Sequence, residues 1–580
     1  MIVTPQTVET FWPPNMPLTL SYPRIPVSAI LKGSASIFAN RPALIDAGTT
    51  WTFAQLYEAA LRFADTIKRL GVQTGDVVAV VMPNCPQFAV AYYGILLAGA
   101  VFSPVNPLLS AADMAYQLND AQARGVIMHD KVASVVEQAV RQSSVQWSIV
   151  TGNGDAALSN SPFAADHPWG SAGIPQPSSS LAWISFAEAI QRGEAREQEP
   201  ALDPSRALAH LAYTGGTTGR SKGVALTHFN VVANVLQVAV WQTGLLPRVE
   251  SGGLMLPVTA ANDRYTVQPG RGSLINLTPW FHAMGIIGYL NVQILYGTTM
   301  ILHSRFDPGA YLEDAERYRV TSLGGAPPIF VALVRHPDWT RRDLSTVRGI
   351  ASGASPLAVE IIHHLEDRLP QALVVEAYGL TEVTMVALSN PSWYGGVRKV
   401  GTVGIPLFDT ACQVVPLDDP TAPALPPGEA GELLISGPQL MQGYHRRPDE
   451  TTGVLRNGWL RTGDVAVLDN DGYVAIVDRQ KDILIYKGYN VYPRELEERL
   501  FQHPGVLSAA VVGKPVLEVG EIPKAFVVRR PGVSISVEDL LQFVNQDLAP
   551  YKRLREVQWV DSLPVSAAGK VLKRVLREEN

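Results

Sequence analysis

Cysteine is nearly absent from this chain: Cys85 and Cys412 are the only two in 580 residues. One pair of thiols builds neither a disulfide framework nor a cysteine-rich zinc site, and such scarcity suits a reducing compartment, so a cytoplasmic location is expected. An excess of positive charge is lacking too. With 47 Lys and Arg against 53 Asp and Glu, the net charge is −6, which argues against a general nucleic-acid binder. The start, Met1-Ile2-Val3-Thr4-Pro5, has no basic segment followed by an apolar core, so no secretory signal is read there. The longest apolar run, Phe88 to Phe102, contains two tyrosines and two glycines. It falls short of the roughly 18 apolar residues of a spanning helix and reads as a buried helix, leaving at most a peripheral membrane contact.

What is present is a long alternation of apolar strand-like runs with amphipathic helical patterns, the mark of layered α/β architecture. Asp76–Met82 and Gly125–Met128 read as strands, Pro86–Ala98 as a helix, and Ser110 with Asp113 as the cap of the next helix. Residues 153–180, rich in Ala, Ser, Gly and Pro, read as a surface excursion. Helical patterns are expected again over Ile286–Leu295 and Pro308–Tyr318. Between Cys412 and Val477 the pattern changes to short strands and turns, a small β-rich subdomain. After Asp478-Arg479-Gln480-Lys481 comes a unit of about a hundred residues with α+β patterning, the size of a small domain. The expected division is therefore 1–478, layered βα sheets with the β-rich subdomain, and 479–580, a smaller α+β domain.

Chemistry concentrates first in Tyr213-Thr214-Gly215-Gly216-Thr217-Thr218-Gly219-Arg220-Ser221-Lys222-Gly223. Glycines let several backbone N–H groups converge on one anion, and hydroxyls and an ammonium add donors, so this is the composition of a polyphosphate-binding loop. Lys222 stands three residues after Gly219, so the common G-x-x-x-x-G-K-[ST] pattern fails. A plain surface linker has similar composition. Here, however, a strand-like run, Leu208–Tyr213, enters the loop, and Thr227 caps an apolar helix, Phe229–Trp241, beyond it.

Four further segments follow in order: Ser352-Gly353-Ala354-Ser355-Pro356-Leu357, Glu376-Ala377-Tyr378-Gly379-Leu380-Thr381-Glu382, Trp459-Leu460-Arg461-Thr462-Gly463-Asp464 with Asp478-Arg479-Gln480-Lys481-Asp482, and Pro564-Val565-Ser566-Ala567-Ala568-Gly569-Lys570. Each read alone is a turn, a strand end or a charged linker. Together with the glycine loop they resemble the signature set of the adenylate-forming superfamily, which includes acyl-CoA synthetases, peptide-synthetase adenylation domains and beetle luciferases. The resemblance covers most of the chain, and the last segment departs from it by reading Ala-Gly-Lys where relatives commonly have Thr-Gly-Lys.

The resemblance implies roles. Thr214, Gly215, Gly216, Thr217, Thr218, Gly219 and Lys222 would wrap phosphate. Gly353, Ala354, Glu376, Ala377, Tyr378 and Gly379 would form the nucleotide pocket, with Tyr378 stacked on adenine. Thr381 would touch phosphate, Glu382 with Thr217 would hold Mg²⁺, and Asp464 and Arg479 would bind the ribose. Lys481 would be the hinge and Lys570 the catalytic cation bridging carboxylate and α-phosphate. Gly488, in Ile485-Tyr486-Lys487-Gly488-Tyr489-Asn490, would help form a pantetheine tunnel. His282 occupies the position where amino-acid-activating relatives place an aspartate, which disfavours amino acids because a buried ammonium would lack its partner. The implied reaction joins a carboxylic acid to ATP as an acyl-adenylate and passes the acyl group to coenzyme A. Medium- or long-chain fatty acids are the first choice. An aryl acid, or a carrier protein as acceptor, remains the alternative, as does a non-catalytic nucleotide-binding scaffold, and such enzymes often form homodimers.

Overall fold

The computed structural model describes residues 1–152, 182–197, 200–214, 220–258, 263–353, 357–565 and 571–578. The excursion over 153–180 therefore lies outside the described residues.

Two large sheets carry most of the chain. The first runs, in spatial order, Gly443–Tyr444, Lys222–Thr227, Leu208–Thr214, Val101–Pro104, Val77–Val81, Gly125–His129, Trp147–Thr151 and Ala182–Ser185. It is parallel except at the first two members, which pair antiparallel. The second runs Ile405–Pro406, Leu388–Ser389, Leu373–Tyr378, Gly349–Ser352, Ser322–Gly325, Ser273–Asn276, Thr299–Leu302, Pro42–Asp46 and Thr49–Thr52. Its six middle strands, from Leu373–Tyr378 to Pro42–Asp46, are parallel. Parallel strands need covered faces, and helices supply the cover.

The apolar run that looked like one helix divides. Pro86–Leu97 is helical with every residue buried, and after the Gly99 turn Val101–Pro104 is a strand. Among the described residues no helix is long and apolar enough to cross a membrane. Pro86 at the first helical turn costs no hydrogen bond there. The helix His228–Thr243 begins where expected: Thr227 accepts from Asn230 N–H, and the Asn230 side chain returns to Thr227 N–H. Ser110 likewise accepts from Asp113 N–H, but its hydroxyl donates to the Asp113 carboxylate, so no return bond to the backbone forms.

The expected helix over 286–295 is altered. Met284–Asn291 is a π-helix and only Val292–Tyr296 is α. Wider helical turns leave carbonyls in need of donors, and side chains provide them: Asn291 to Ile286 O at 2.8 Å, Asn276 to Tyr289 O at 2.7 Å and Gln293 to Gly288 O at 3.1 Å.

The β-rich region is a six-stranded antiparallel sheet built on Ala411–Val415, Ala430–Ser436, Trp459–Leu468 and Val474–Arg479, and it recruits Ile2–Val3 from the far end of the chain. From Leu484 onward the strands belong to a separate five-stranded sheet, packed with helices Pro493–Gln502 and Val537–Asn545 around their own core. Near the C-terminus, Val565 and Val571 form a bridge and a short helix, Lys573–Glu578, follows.

Candidate active site

The parallel strands of the second sheet end side by side at Gly325, Ser352 and Tyr378, and a crevice outside such carboxyl ends is where α/β sheets place ligands. Strand Leu373–Tyr378 delivers Tyr378 there. Its hydroxyl donates to Oδ2 of Asp464 at 2.5 Å, and Arg479 Nε lies 3.2 Å from Oδ1. Asp464 and Arg479 face each other because the antiparallel register pairs them directly. Burial, followed by the Asp464 charge, pushes the Tyr378 hydroxyl well above its ordinary pKa, so it remains a donor. Each Asp464 oxygen keeps a second lone pair, so a diol could still be received.

Asp464 is held from behind. Thr462 Oγ1 accepts Asp464 N–H at 3.1 Å and donates to Leu433 O at 2.7 Å. Glu432, 1% exposed, takes both Nε and Nη2 of Arg461 and, through its other oxygen, Gly463 N–H at 3.2 Å. A buried carboxylate needs such saturation. Glu376 accepts Leu357 N–H at 3.1 Å, and burial raises its pKa.

The phosphate side is assembled from three segments. Lys222 opens its strand opposite Thr214, so the two residues flank the mouth of the glycine loop. Its ammonium pairs with Glu450 and lies 5.0 Å above the Tyr444 ring. Tyr444 in turn donates to Glu382 Oε1 at 2.9 Å, while Glu382 O accepts Met441 N–H at 2.9 Å. Burial raises the pKa of Glu382. One carboxylate, on the short helical turn that also carries Thr381, suits a hard ion that takes its other ligands from phosphate and water. Among the described residues no group of three His, Cys, Asp or Glu could cage a metal. The donor set thus fits Mg²⁺ carried in with a nucleotide.

His282 sits between strand Ser273–Asn276 and the π-helix, its ring 4.8 Å from Phe281. Burial lowers its pKa, and its Nε2 has no hydrogen-bond partner among the described residues. Close by, the Met284 sulfur lies against Gly353 and the Met385 sulfur against Gly288, contacts that side chains on those glycines would displace. Phe330 and Leu388, apolar residues of a type that suits an acyl pocket, are core residues with no exposure.

The structure thus brings Tyr378, Asp464 and Arg479 into one cluster and Lys222, Thr214 and Glu382 into its neighbourhood. Gly215, Gly216, Thr217, Thr218, Gly219, Ala354 and Lys570 lie outside the described residues. Gly379 packs so closely that a Cβ would stand 1.7 Å from Met385 O. Gly488 occupies an exposed hairpin turn between Leu484–Tyr486 and Tyr489–Val491. Lys481 lies in a short helical turn after Arg479, its pKa lowered chiefly by burial.

Residues 31–445 match the AMP-binding enzyme family, and residues 495–570 match the AMP-binding enzyme C-terminal domain. The chain belongs to the adenylate-forming superfamily. Within this superfamily it is 35% identical to a long-chain-fatty-acid–CoA ligase of Bacillus subtilis (strain 168), across 98% of this chain and 97% of that one. It is 33% identical to 4-coumarate–CoA ligase-like 9 of Oryza sativa subsp. japonica, across 100% and 97%. Among solved structures, ATP-bound MatB from Rhodopseudomonas palustris superposes with a TM-score of 0.78 at 28% identity, covering 96% of this chain and 99% of that one.

Sequence reasoning missed Glu432, Tyr444 and Glu450. Glu432 and Tyr444 lie in ordinary strands whose partners are set by sheet pairing, and Glu450 opens a short helix, Pro448–Val454. A sequence signal existed only for Glu432, as a lone acid in an apolar strand, Ala430–Ser436.

Proposed function

We propose that this chain is an AMP-forming acid–thiol ligase that activates a medium- or long-chain fatty acid. The observation that carries the reading is the convergence of Tyr378, Asp464 and Arg479 beside Lys222 and Glu382. Near-full-length likeness to a fatty-acid–CoA ligase supports the choice of acid.

The chemistry is a problem of like charges. A carboxylate oxygen attacks the α-phosphorus of ATP, the bond from that phosphorus to the bridging oxygen breaks, and pyrophosphate departs with the bonding pair. Tyr378 stacks on adenine, Asp464 and Arg479 bind the ribose, and Lys222 with the loop amides around Thr217 neutralises phosphate oxygens. Glu382, with Thr381 and Thr217, would hold Mg²⁺, which when bound offsets phosphate charge. Lys570 bridges the substrate carboxylate and the α-phosphate. The coenzyme A thiolate then attacks the acyl carbon, and AMP leaves with the former anhydride oxygen. Lys481 is the hinge between residues 1–478 and 479–580, and its rotation withdraws Lys570 and presents the Gly488 hairpin. His282, neutral and at the acyl end, leaves that pocket without a charge to hold an amine. We place the enzyme in the cytoplasm, acting as a homodimer with at most peripheral membrane contact.

The test is pyrophosphate release over acids from acetate to oleate, with benzoate and cinnamate included, with and without coenzyme A. Highest kcat/KM with medium- or long-chain aliphatic acids, since each further CH2 buried adds ~0.8 kcal/mol, and acyl-CoA formed only when the thiol is present, is the expected result. Preference for cinnamate moves the substrate to the aryl class, and no release with any acid overturns the reading.

A further inference from the structure

Directly after Glu382 the backbone adopts a conformation that its sequence disfavours. Thr384 has φ 68° and ψ −56°, and Met385 N–H donates to Val383 O at 2.8 Å. This is a γ-turn of the rare positive-φ form, strained for any residue and more so for a β-branched one. Such strain persists only where the surroundings over-determine it.

The surroundings do so here. Thr384 has no exposure, and its Oγ1 donates to Gln439 O at 2.7 Å. Two residues earlier, Glu382 O accepts Met441 N–H, so the centre of the turn and its N-terminal side are fastened to one segment, 439–441. Two residues later, Asn234 clasps Val386, donating to its carbonyl at 2.7 Å and accepting its N–H at 3.2 Å. Gln237 donates to Gln439 Oε1 at 3.1 Å, and Gln439 donates to Thr410 Oγ1 at 2.9 Å, all of these groups being buried. Ala387 N–H closes the loop on Tyr378 O at 2.9 Å. The same segment continues to Tyr444, which donates to the Glu382 carboxylate. Nothing in the proposed chemistry uses Thr384, Gln439 or Asn234, yet they form a buried polar frame around the residue pair that meets phosphate.

We propose that Thr384 is a positioning residue for Glu382, its hydroxyl tether holding the strained turn that aims the carboxylate at the metal–nucleotide complex. The inference rests on the role assigned to Glu382. Val386 is held through both its carbonyl and its N–H by Asn234, whereas the Glu382 backbone is held through its carbonyl alone, so losing the tether shifts the Glu382 end of the turn rather than the frame.

The test compares Thr384→Val, which removes the tether, with Thr384→Ser, which keeps it, and Thr384→Gly, which removes the tether but tolerates positive φ and so folds even where valine does not. Calorimetry with a non-hydrolysable ATP analogue is run in Mg²⁺ and in EDTA, beside melting curves. The Mg²⁺-dependent gain in affinity is expected to fall at least about fivefold in the Val and Gly variants, by the tenfold-per-1.4 kcal/mol relation a shift of ~1 kcal/mol, and to return with Ser. Affinity in EDTA should stay within about twofold, under ~0.4 kcal/mol. Equal losses in Mg²⁺ and EDTA that follow the melting temperature, or no loss at all, overturn the inference. Glu382→Ala separates the two levels: if it abolishes the Mg²⁺ gain while the Val and Gly variants keep it, only the Thr384 inference falls. If it leaves the gain intact, the role of Glu382 falls first.

Discussion

Tyr378 donates to Asp464 at 2.5 Å, and the opposite oxygen of that carboxylate belongs to Arg479. One side chain on the parallel sheet and one on the antiparallel sheet are thus joined through a single acid. Asp464→Ala removes a charge-assisted partner of the kind worth about 1.5–3 kcal/mol, so AMP affinity should drop about 10- to 100-fold by calorimetry. Tyr378→Phe leaves the ion pair and should cost less than Asp464→Ala, with the KM for the acid unchanged.

Lys570 is assigned to the first half-reaction alone. Lys570→Ala should lower acyl-adenylate formation by about 10²-fold or more, on the order of what a single charge-stabilising donor contributes. Thiolation of a preformed adenylate should change far less. Single-turnover assays of the two halves check this, and equal loss in both would count against the assignment.

Glu450 pairs with Lys222, the cation proposed to meet phosphate, so the carboxylate would compete with that anion. Both side chains are partly exposed, and such pairs contribute about 0–1 kcal/mol, so Glu450→Gln should lower the KM for ATP by at most about fivefold. Lys222→Ala should raise it. A rise in KM with Glu450→Gln would mean that the carboxylate positions Lys222 productively.

Gly379 and Gly488 should respond differently to alanine. At Gly379 the new Cβ meets Met385 O at 1.7 Å, a backbone atom of the strained loop, so the melting temperature and nucleotide binding should fall together. Gly488 has φ +82° with nothing within 4 Å, so alanine there costs only local strain of about 1 kcal/mol and melting should shift by little.

His210, fully buried on the strand that enters the glycine loop, is 2.9 Å from the Tyr92 hydroxyl, and burial holds its pKa down to about 3. His228 is held down to about 4. The unfolded chain binds protons at these sites near pH 6.5, so stability is lost as pH falls below that value, by about 1.4 kcal/mol per pH unit per histidine until the folded pKa is reached. His210→Gln should flatten the dependence of melting temperature on pH between about 6 and 4, in scanning calorimetry.

Much of the nucleotide side was legible because its chemistry is local. A glycine-rich loop between two strands, a capped helix after Thr227, and Tyr378 at a strand end are each written in a few adjacent residues. The acyl side was less legible. Phe330 and Leu388 look like pocket residues by type, yet their elements turn them into the core, since an apolar side chain carries no mark of which apolar surface it will meet.

By itself the sequence determined the order of the motifs, the alternation of strands and helices and the composition of the glycine loop, because periodicity, capping and loop composition are short-range properties. Only the tertiary structure decided that Asp464 meets both Arg479 and Tyr378, that Tyr444 bridges Lys222 and Glu382, and that Thr384 is bent into a γ-turn. Apart from the Asp464–Arg479 pair, those contacts, and the tether of Thr384 to Gln439 that holds its turn, join residues 55 or more positions apart. Their partners are chosen by sheet register and by the need of buried polar groups for hydrogen bonds, and neither is expressed in any local stretch of the chain.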